Sequence, residues 1–483
     1  MKSRKLLRMF VVFAIVLSFA AGCGEGSTNT VEQTGQNNAT SANGNADKKD
    51  VTDSADDSDA GVVATGERDL GGMEITLGIW WQPDEGGQTA YAEARQDYLA
   101  EIQQKYNMTI KPVKIADWGQ MADIAAASIL AGKPEASIFT LDSSKTMGLY
   151  KQGLFYPVSN CTSVDLSAEK WNKLVVDSLT FDGNTYGFAY GYEPRNGIFF
   201  NKNVLSDAGI DPEEPYNLQA ANQWTWDAFK EMCAKTTRDI DNDGQMDYYA
   251  ICAFHKDTLA SAVISNNAEY VAKDENGRFY NATNTTEFLA ACAFVHDLNS
   301  NGWVRPDPEG ANWNWFIEGF NEGNSAFRIT EEYSKSDLQN VSFEWGFVFF
   351  PKGPSCDELV SVYRENIQIV PNKCFTDEEV DNIMFAYDLY TNKVPGYEDD
   401  DEDWKLSAYA AYRDSRAVDE TLTAMRLGKN GALRLEPYIT GFETGDIAYS
   451  IWNNERTPVQ LIEEAKNKWD ILISEANKMI YGD

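Results

Sequence analysis

From Met73 the apolar positions alternate. Ile75, Leu77 and Ile79 share one face and lead into Trp80-Trp81, the period of a strand that delivers two aromatics to a loop at its carboxyl end. The period then lengthens: Tyr91, Tyr98, Leu99, Ile102 and Tyr106 fall on one helical face. Residues 108–115 read as a second strand, 121–130 as a helix, and 136–141 as a third strand ending at Asp142. This βαβαβ order predicts a parallel sheet wrapped by helices, with ligands beyond the carboxyl ends of the strands, where Trp80, Trp81 and Asp142 stand. Further along, Thr225 is placed to cap a helix over 226–233, and Trp224 and Trp226 read as core aromatics. Thr457-Pro458-x-Gln460 is a capping box with Pro at the first helical position. It opens a terminal helix whose buried stripe is Leu461, Ile462, Ala465, Trp469, Leu472 and Ala476.

The amino-terminal pattern is of another kind. Lys2, Arg4, Lys5 and Arg8 precede an apolar run over 9–19, and Ala20-Ala21-Gly22-Cys23 forms a small-residue cleavage site ending in cysteine. The run falls short of the roughly 20 residues of a membrane span. The segment therefore reads as a lipoprotein signal peptide over 1–22, with Cys23 the lipidated first residue of the mature protein. Residues 24–68 contain no aromatic and are dominated by Gly, Ser, Thr, Asn, Gln and Asp, a composition that cannot offset its ordering entropy. Residues 23–68 are thus a lipidated tether, with a root-mean-square reach of roughly 35–40 Å. The remaining chain is too long for a single core, and two lobes are expected.

Charge narrows the ligand classes. The formal net charge of -34 becomes -38 once the four basic residues of the signal are lost, so a phosphate backbone or an anionic bilayer surface is a poor partner. Nucleic acid is excluded as a target. Thirteen tryptophans and 23 tyrosines are generous for so acidic a chain; they either pack in the core or present faces for stacking a ligand. Beyond Cys23 the cysteines are Cys161, Cys233, Cys252, Cys292, Cys356 and Cys374, whose wide spacings form no zinc pattern and leave any disulfide pairing open. With His255 and His296 the only histidines, histidine triads and multi-histidine metal sites have little material, and His296 reads as structural. Gly132-Lys133 is followed by Pro134 and has Ala127 where a nucleotide loop needs glycine. A pair of carboxylates, the minimum for a glycosidase, remains the main enzymatic alternative.

One local motif points to a cation. Asp239, Asp241 and Asp243 precede Gly244, with Gln245 and Asp247 following, in the D-x-D-x-D-G spacing of the first half of a calcium loop. Position twelve is Ala250, so the bidentate Glu of a complete EF-hand is missing. The alternatives are a structural calcium completed from elsewhere and an Asx-rich turn. No other cofactor is required. The acidic run 398–403 reads as a solvated loop.

Residues 197–211 (GIFFNKNVLSDAGID) followed by 223–229 (QWTWDAF) resemble the "YNKdlfkeaGld" and "TW" signature of extracellular solute-binding proteins of ABC importers, in the maltose- and oligosaccharide-binding branch. In the same order, 131–136 (AGKPEA) resembles the turn before the third strand, with Glu135 where Asp is commoner. Residues 153–158 (GLFYPV), 320–327 (FNEGNSAF) and 457–465 (TPVQLIEEA) resemble later landmarks. The resemblance spans nearly all of 73–480. It implies an α/β, two-lobed periplasmic-binding-protein-like fold whose lobes are joined by about three crossovers around a ligand cleft. By analogy the crossovers fall near 189–195, 326–330 and 392–396, giving lobe 1 as 69–190 plus 330–392 and lobe 2 as 191–329 plus 393–483.

The resemblance further implies a lipid-anchored receptor on the outer face of the cell membrane, a monomer and not an enzyme. It would close around a carbohydrate, most simply an oligosaccharide, and present it to an ABC permease. Other readings are a glycan-binding or sensory surface protein and a receptor for peptide or polyamine. The expected ligand contacts are Trp80, Trp81, Trp118 and Asp142 in the first lobe, and Tyr190, Tyr192, Glu193 and Arg195 at the first crossing. Glu331 and Tyr333 follow the second crossing, and Tyr363, Arg364 and Asn366 flank the strand 367–370. His255, Trp313, Asp446 and Trp452 come from the second lobe.

Overall fold

The computed structural model describes residues 68–83, 89–193, 195–363, 366–398 and 402–482. The signal peptide, Cys23, nearly all of the tether, and Arg364 lie outside the described residues. The alternating run at the start of the folded chain is strand β1 (Met73–Ile79), followed by helix α1 (Ala90–Lys105) and strand β2 (Met108–Lys114). Helix α2 (Trp118–Leu130), strand β3 (Ile138–Asp142) and helix α3 (Ser143–Tyr150) complete the first repeat. Thr89 starts α1 because its hydroxyl accepts from the Ala92 amide at 3.0 Å, filling one of the orphan donors of the first turn. β1 pairs in parallel with both β2 and β3. Side chains alternate across β3 as a pleated strand requires: Ile138 joins the apolar cluster on one face with Ile75, Leu77 and Ile102, while Phe139 and Leu141 join that on the other. Burial on both faces is what makes β3 read as a largely apolar run, whereas β2 keeps exposed Thr109 and Lys111.

The chain then builds a second sheet from β4 (Asn196–Asn201), β5 (Tyr249–Ala253), β6 (Ser325–Glu331) and β7 (Trp345–Phe349). Its order is β7-β4-β6-β5; β4 runs antiparallel to both neighbours and β5 runs parallel to β6. Gly197 allows the tight approach of β4 to β7, since a Cβ there would stand 2.4 Å from the Phe347 ring. Helices α4 (Trp226–Thr236), α5 (His255–Ser265), α6 (Thr286–Ser300) and α7 (Trp315–Asn321) belong to this half of the chain. Thr225 caps α4 as expected, and Trp224 and Trp226 are buried core residues.

After β7 come β8 (Ser361–Tyr363) and β9 (Asn366–Ile369). β9 closes the edge of the first sheet antiparallel to β3, giving the order β9-β3-β1-β2. Helix α8 (Asp377–Tyr390) starts at a capping box of Thr376 and Glu379 and buries Val380, Ile383 and Met384 in the same cluster as Ile75 and Leu77. β8 pairs in parallel with β10 (Gly431–Leu433) in a small separate sheet. Helices α9 (Gly445–Trp452) and α10 (Pro458–Tyr481) finish the chain. The Thr457/Gln460 capping box forms, and Leu461, Ile462, Trp469 and Ala476 are buried, with Ala465 and Leu472 partly so. Each such apolar side chain contributes about 1.5–3 kcal/mol when fully buried. No helix among the described residues is long and apolar enough to cross a membrane.

One expectation needs correcting. Residues 326–330, expected to form the second crossing, lie inside β6 and are buried, and β7 still belongs to the second sheet. The return to the first sheet, made by β9, therefore comes after Phe349 and not at 330. An apolar run announces a buried strand equally well in either sheet; its antiparallel register with Gly197–Asn201 decides the matter. The cysteines that left disulfides open, Cys161, Cys233, Cys252, Cys292, Cys356 and Cys374, are all free thiols.

Candidate functional site

Three groups of the expected contacts are brought together. The first sits at the carboxyl end of the first sheet. Asp142 ends β3 and caps α3, accepting from the Ser144 amide at 2.9 Å and from the Ser144 hydroxyl. The Trp118 indole N–H, on the first residue of α2, donates to the other Asp142 carboxylate oxygen at 3.1 Å. Asn366 faces Asp142 across the antiparallel pair of β9 and β3. Trp80 and Trp81 follow the carboxyl end of β1 with their rings edge to face at 5.3 Å. Asp142 is thus fixed by cap and indole bonds, and Trp118 is half exposed above it.

The second group gathers at the end of β6. Arg195 pairs with Glu193 at 2.8 Å and lies 5.9 Å from the Tyr333 ring centroid. Glu331, buried at the last position of β6, is paired in register with Asn196 of β4. Burial, then the charges of Glu331 and Asp257, raise the Tyr333 hydroxyl above its ordinary range, so it remains a protonated donor. Tyr190 stands half exposed on the segment entering β4, and its backbone bridges to Trp171. Tyr192 is partly buried, packs 5.6 Å from the Tyr363 ring and accepts from the Lys173 amide at 3.4 Å.

The third group is aromatic. His255 opens α5 with its ring 4.6 Å from Phe254 and 5.4 Å from Tyr449. Phe254 also braces Trp313 edge to face at 5.6 Å and stacks on Phe316 at 5.9 Å. Burial, helped by neighbouring Lys256, pulls the His255 pKa down to about 4, so the ring is neutral around pH 7. Asp446 is exposed in the first turn of α9, one helical turn before Tyr449. Asp257, in the first turn of α5, carries its charge toward Tyr333 and links this group to the second.

Two expected contacts are placed in the core instead. Tyr363 is fully buried, with its hydroxyl donating to the Met425 and Leu427 carbonyls. Trp452 is buried on the inner face of α9, and its carbonyl accepts from Asn299 at 2.6 Å. Both aromatics pack where their elements turn inward, a direction that spacing from a crossover does not fix. Phe254, Asp257 and Tyr449 were not anticipated. Tyr449 had a signal: Ala448, Ile451 and Trp452 are the buried positions of α9, which turns Tyr449 outward. Of the chain's 13 tryptophans, the three that are exposed are Trp81, Trp118 and Trp313, at 42%, 51% and 75%, and all three belong to these groups.

Apart from the groups, the acidic loop places carboxylate oxygens of Asp239, Asp241 and Asp247 within 4.8 Å of one another. Gly244, at φ +92, lets the loop turn so that its amide reaches one Asp239 oxygen at 2.9 Å, while the other, buried, oxygen has no hydrogen-bond partner. Amides of Asp243 and Ile240 occupy one oxygen each of Asp241 and Asp247. Asp243 instead accepts from the Gln245 amide and stands outside the three-carboxylate group. Ala250 begins the buried part of β5. An all-oxygen donor set of this kind suits a hard cation such as calcium.

The fold has counterparts in known proteins. Residues 97–381, more than half of the chain, match the family described as bacterial extracellular solute-binding protein. A polygalacturonan/rhamnogalacturonan-binding protein, YtcQ of Bacillus subtilis (strain 168), is 23% identical over 218 residues, which cover 43% of this chain and 41% of that protein. The matched region thus spans less than half of that relative. Among solved structures, the sugar-binding protein MalE of Xanthomonas citri aligns at TM-score 0.59 and 15% identity over 85% of this chain and 100% of its own. The cyclic alpha-maltosyl-1,6-maltose binding protein of Arthrobacter globiformis aligns at 0.57 and 15%, over 84% and 99%. UgpB of Mycobacterium tuberculosis, solved with glycerophosphocholine, aligns at 0.57 and 13%, over 83% and 98%. These likenesses establish a shared fold, and one that serves ligands of different chemistry. With two α/β sheets in the described order and a family match running through both of them, the chain is a member of the bacterial extracellular solute-binding protein family.

Proposed function

We propose that this protein is a lipid-anchored extracytoplasmic receptor that binds a carbohydrate of oligosaccharide size and delivers it to the permease of an ABC importer. The observation that carries the reading is the segregation of exposed tryptophans: Trp81 and Trp118 lie in the first group and Trp313 in the third, while the other ten are buried or partly buried. Sugar rings present CH faces that stack on indoles and hydroxyls that bond to carboxylates such as Asp142 and Glu331. Asp142 is held by the cap of α3 and by Trp118, so its geometry is set before ligand arrives. The names of the Bacillus and Xanthomonas proteins point to the same ligand class.

In this reading Cys23 carries the lipid, the tether gives the receptor reach, and ligand contacts shared by two lobes favour a closed form presented to the permease. Calcium at Asp239, Asp241 and Asp247 has a structural role, remote in sequence from most of the contacts. The protein performs no chemistry on its cargo.

The test is a screen of intrinsic fluorescence and thermal stability on the mature chain with Cys23→Ser, against mono- and oligosaccharides, peptides, amino acids and polyamines. A saturable shift with a saccharide, with the saccharide recovered intact, supports the reading. Shortened products revive a glycosidase, and a response only to peptide or polyamine overturns the carbohydrate assignment. Copurification of the native, lipidated form with a permease tests the transport role.

A further inference from the structure

We infer that the binding site selects neutral saccharides and discriminates against uronate-bearing ones; the inference rests on the carbohydrate reading above and narrows it. Five carboxylates accompany the exposed aromatics: Asp142, Glu193, Asp257, Glu331 and Asp446. Two of them, Asp142 and Glu331, are at least nine-tenths buried. Two guanidiniums act on these carboxylates and both are already paired: Arg195 with Glu193 at 2.8 Å, lying over Tyr333, and partly buried Arg434, whose charge reaches Asp257, with Glu436. Lys145 in the first turn of α3 and Lys256 in that of α5 are nearby in sequence, which leaves carboxylates in excess among the described residues.

A neutral sugar uses this arrangement well. Its hydroxyls donate to carboxylates, its CH faces cover the indoles, and no charge has to be desolvated. A uronate adds an anion that gives up water beside buried carboxylates, with the two guanidiniums already committed to Glu193 and Glu436. His255 cannot compensate, because burial keeps its ring neutral around pH 7. The net charge of the chain, -34 before export and more negative after it, repels the same ligand at longer range. The polygalacturonan named for the Bacillus relative is a polyanion, so the two proteins, 23% identical where they match, would differ in the charge of the cargo they accept.

Titration calorimetry on the mature chain with Cys23→Ser tests this. The probes are neutral tri- to pentasaccharides of glucose, galactose, xylose and mannose, and oligogalacturonates of the same lengths, each at low and high salt. The expected result is a neutral ligand whose affinity is insensitive to salt and a galacturonate bound at least about tenfold more weakly, with the gap narrowing as salt screens the carboxylates. Glu331→Gln, and the more exposed Glu193→Gln should the buried change impair folding, are each expected to narrow it further at low salt. A galacturonate bound as tightly as every neutral oligosaccharide, or more tightly, overturns the inference and leaves the carbohydrate reading intact. Binding confined to peptide or polyamine, with both saccharide sets silent, overturns the carbohydrate reading itself and the inference with it.

Discussion

Trp313 is the most exposed tryptophan of the chain, at 75%, and it is held by the edge of Phe254 at 5.6 Å. Trp313→Ala therefore separates binding from folding. A tryptophan presents about 250 Å² at most, so some 190 Å² of Trp313 faces solvent. A sugar ring stacking on one indole face covers about half of that, and at about 25 cal/mol per Å² its loss costs roughly 2 kcal/mol, about thirtyfold in Kd. The portion already packed is small, about 60 Å², worth at most about 1.5 kcal/mol of folding stability. For a folded region of this size that is about 2 °C in Tm. Calorimetric titration with the saccharide found in the screen, beside a thermal melt, reads both quantities. Tyr280→Ala is the control: Tyr280 is half exposed on the strand Phe279–Asn281, outside the three groups, and the substitution is expected to leave Kd unchanged. Should Trp313→Ala keep Kd within about twofold of the parent while the melt stays put, ligand does not stack there and the aromatic argument fails.

Other perturbations reach other parts of the argument. Saturating calcium is expected to raise Tm by about 3 °C, corresponding to about 2.7 kcal/mol at a hundredfold excess over Kd, and Asp241→Asn or Asp247→Asn should abolish the rise; an equal rise in the variants would locate the ion elsewhere. The His255 pKa is lowered to about 4 from 6.5, so the folded chain resists a proton that the unfolded chain accepts. Its contribution to stability is complete above about pH 6.5 and declines as pH falls toward about 4. Denaturant melts across that window should show a shallower loss in His255→Phe than in the parent, and identical slopes would remove His255 from the account. At the small β8/β10 sheet, a Cβ on Gly431 would stand 1.8 Å from the Tyr363 ring, so Gly431→Ala must displace that ring and its bonds to the Met425 and Leu427 carbonyls. A loss of about 2–4 kcal/mol in denaturant unfolding is expected, against about 1 kcal/mol for Tyr363→Phe, which keeps the ring and drops the hydroxyl.

What the sequence by itself determined is local and periodic. Alternation at Ile75, Leu77 and Ile79 specified β1, and Thr225 and the Thr457/Gln460 pair specified the starts of α4 and α10, because strand pleat, helix pitch and capping act over a few residues. The core roles of Trp224 and Trp226 followed from the same periods. The ordered motifs from the turn at 131–136 to the last helix were enough to indicate the family. Tertiary structure decided which distant pieces meet. The strand 345–349 is apolar throughout, which says that it is buried but not in which sheet; pairing with Gly197–Asn201 put it in the second and moved the expected crossing. Tyr363 and Trp452 turned inward, whereas Tyr449 turned outward to meet His255, nearly two hundred residues earlier in the chain. The bond from Trp118 to Asp142 likewise joins the start of one helix to the cap of the next across the sheet end. Such contacts depend on the direction each side chain takes once its element is docked, and that direction is set by the burial of its neighbours.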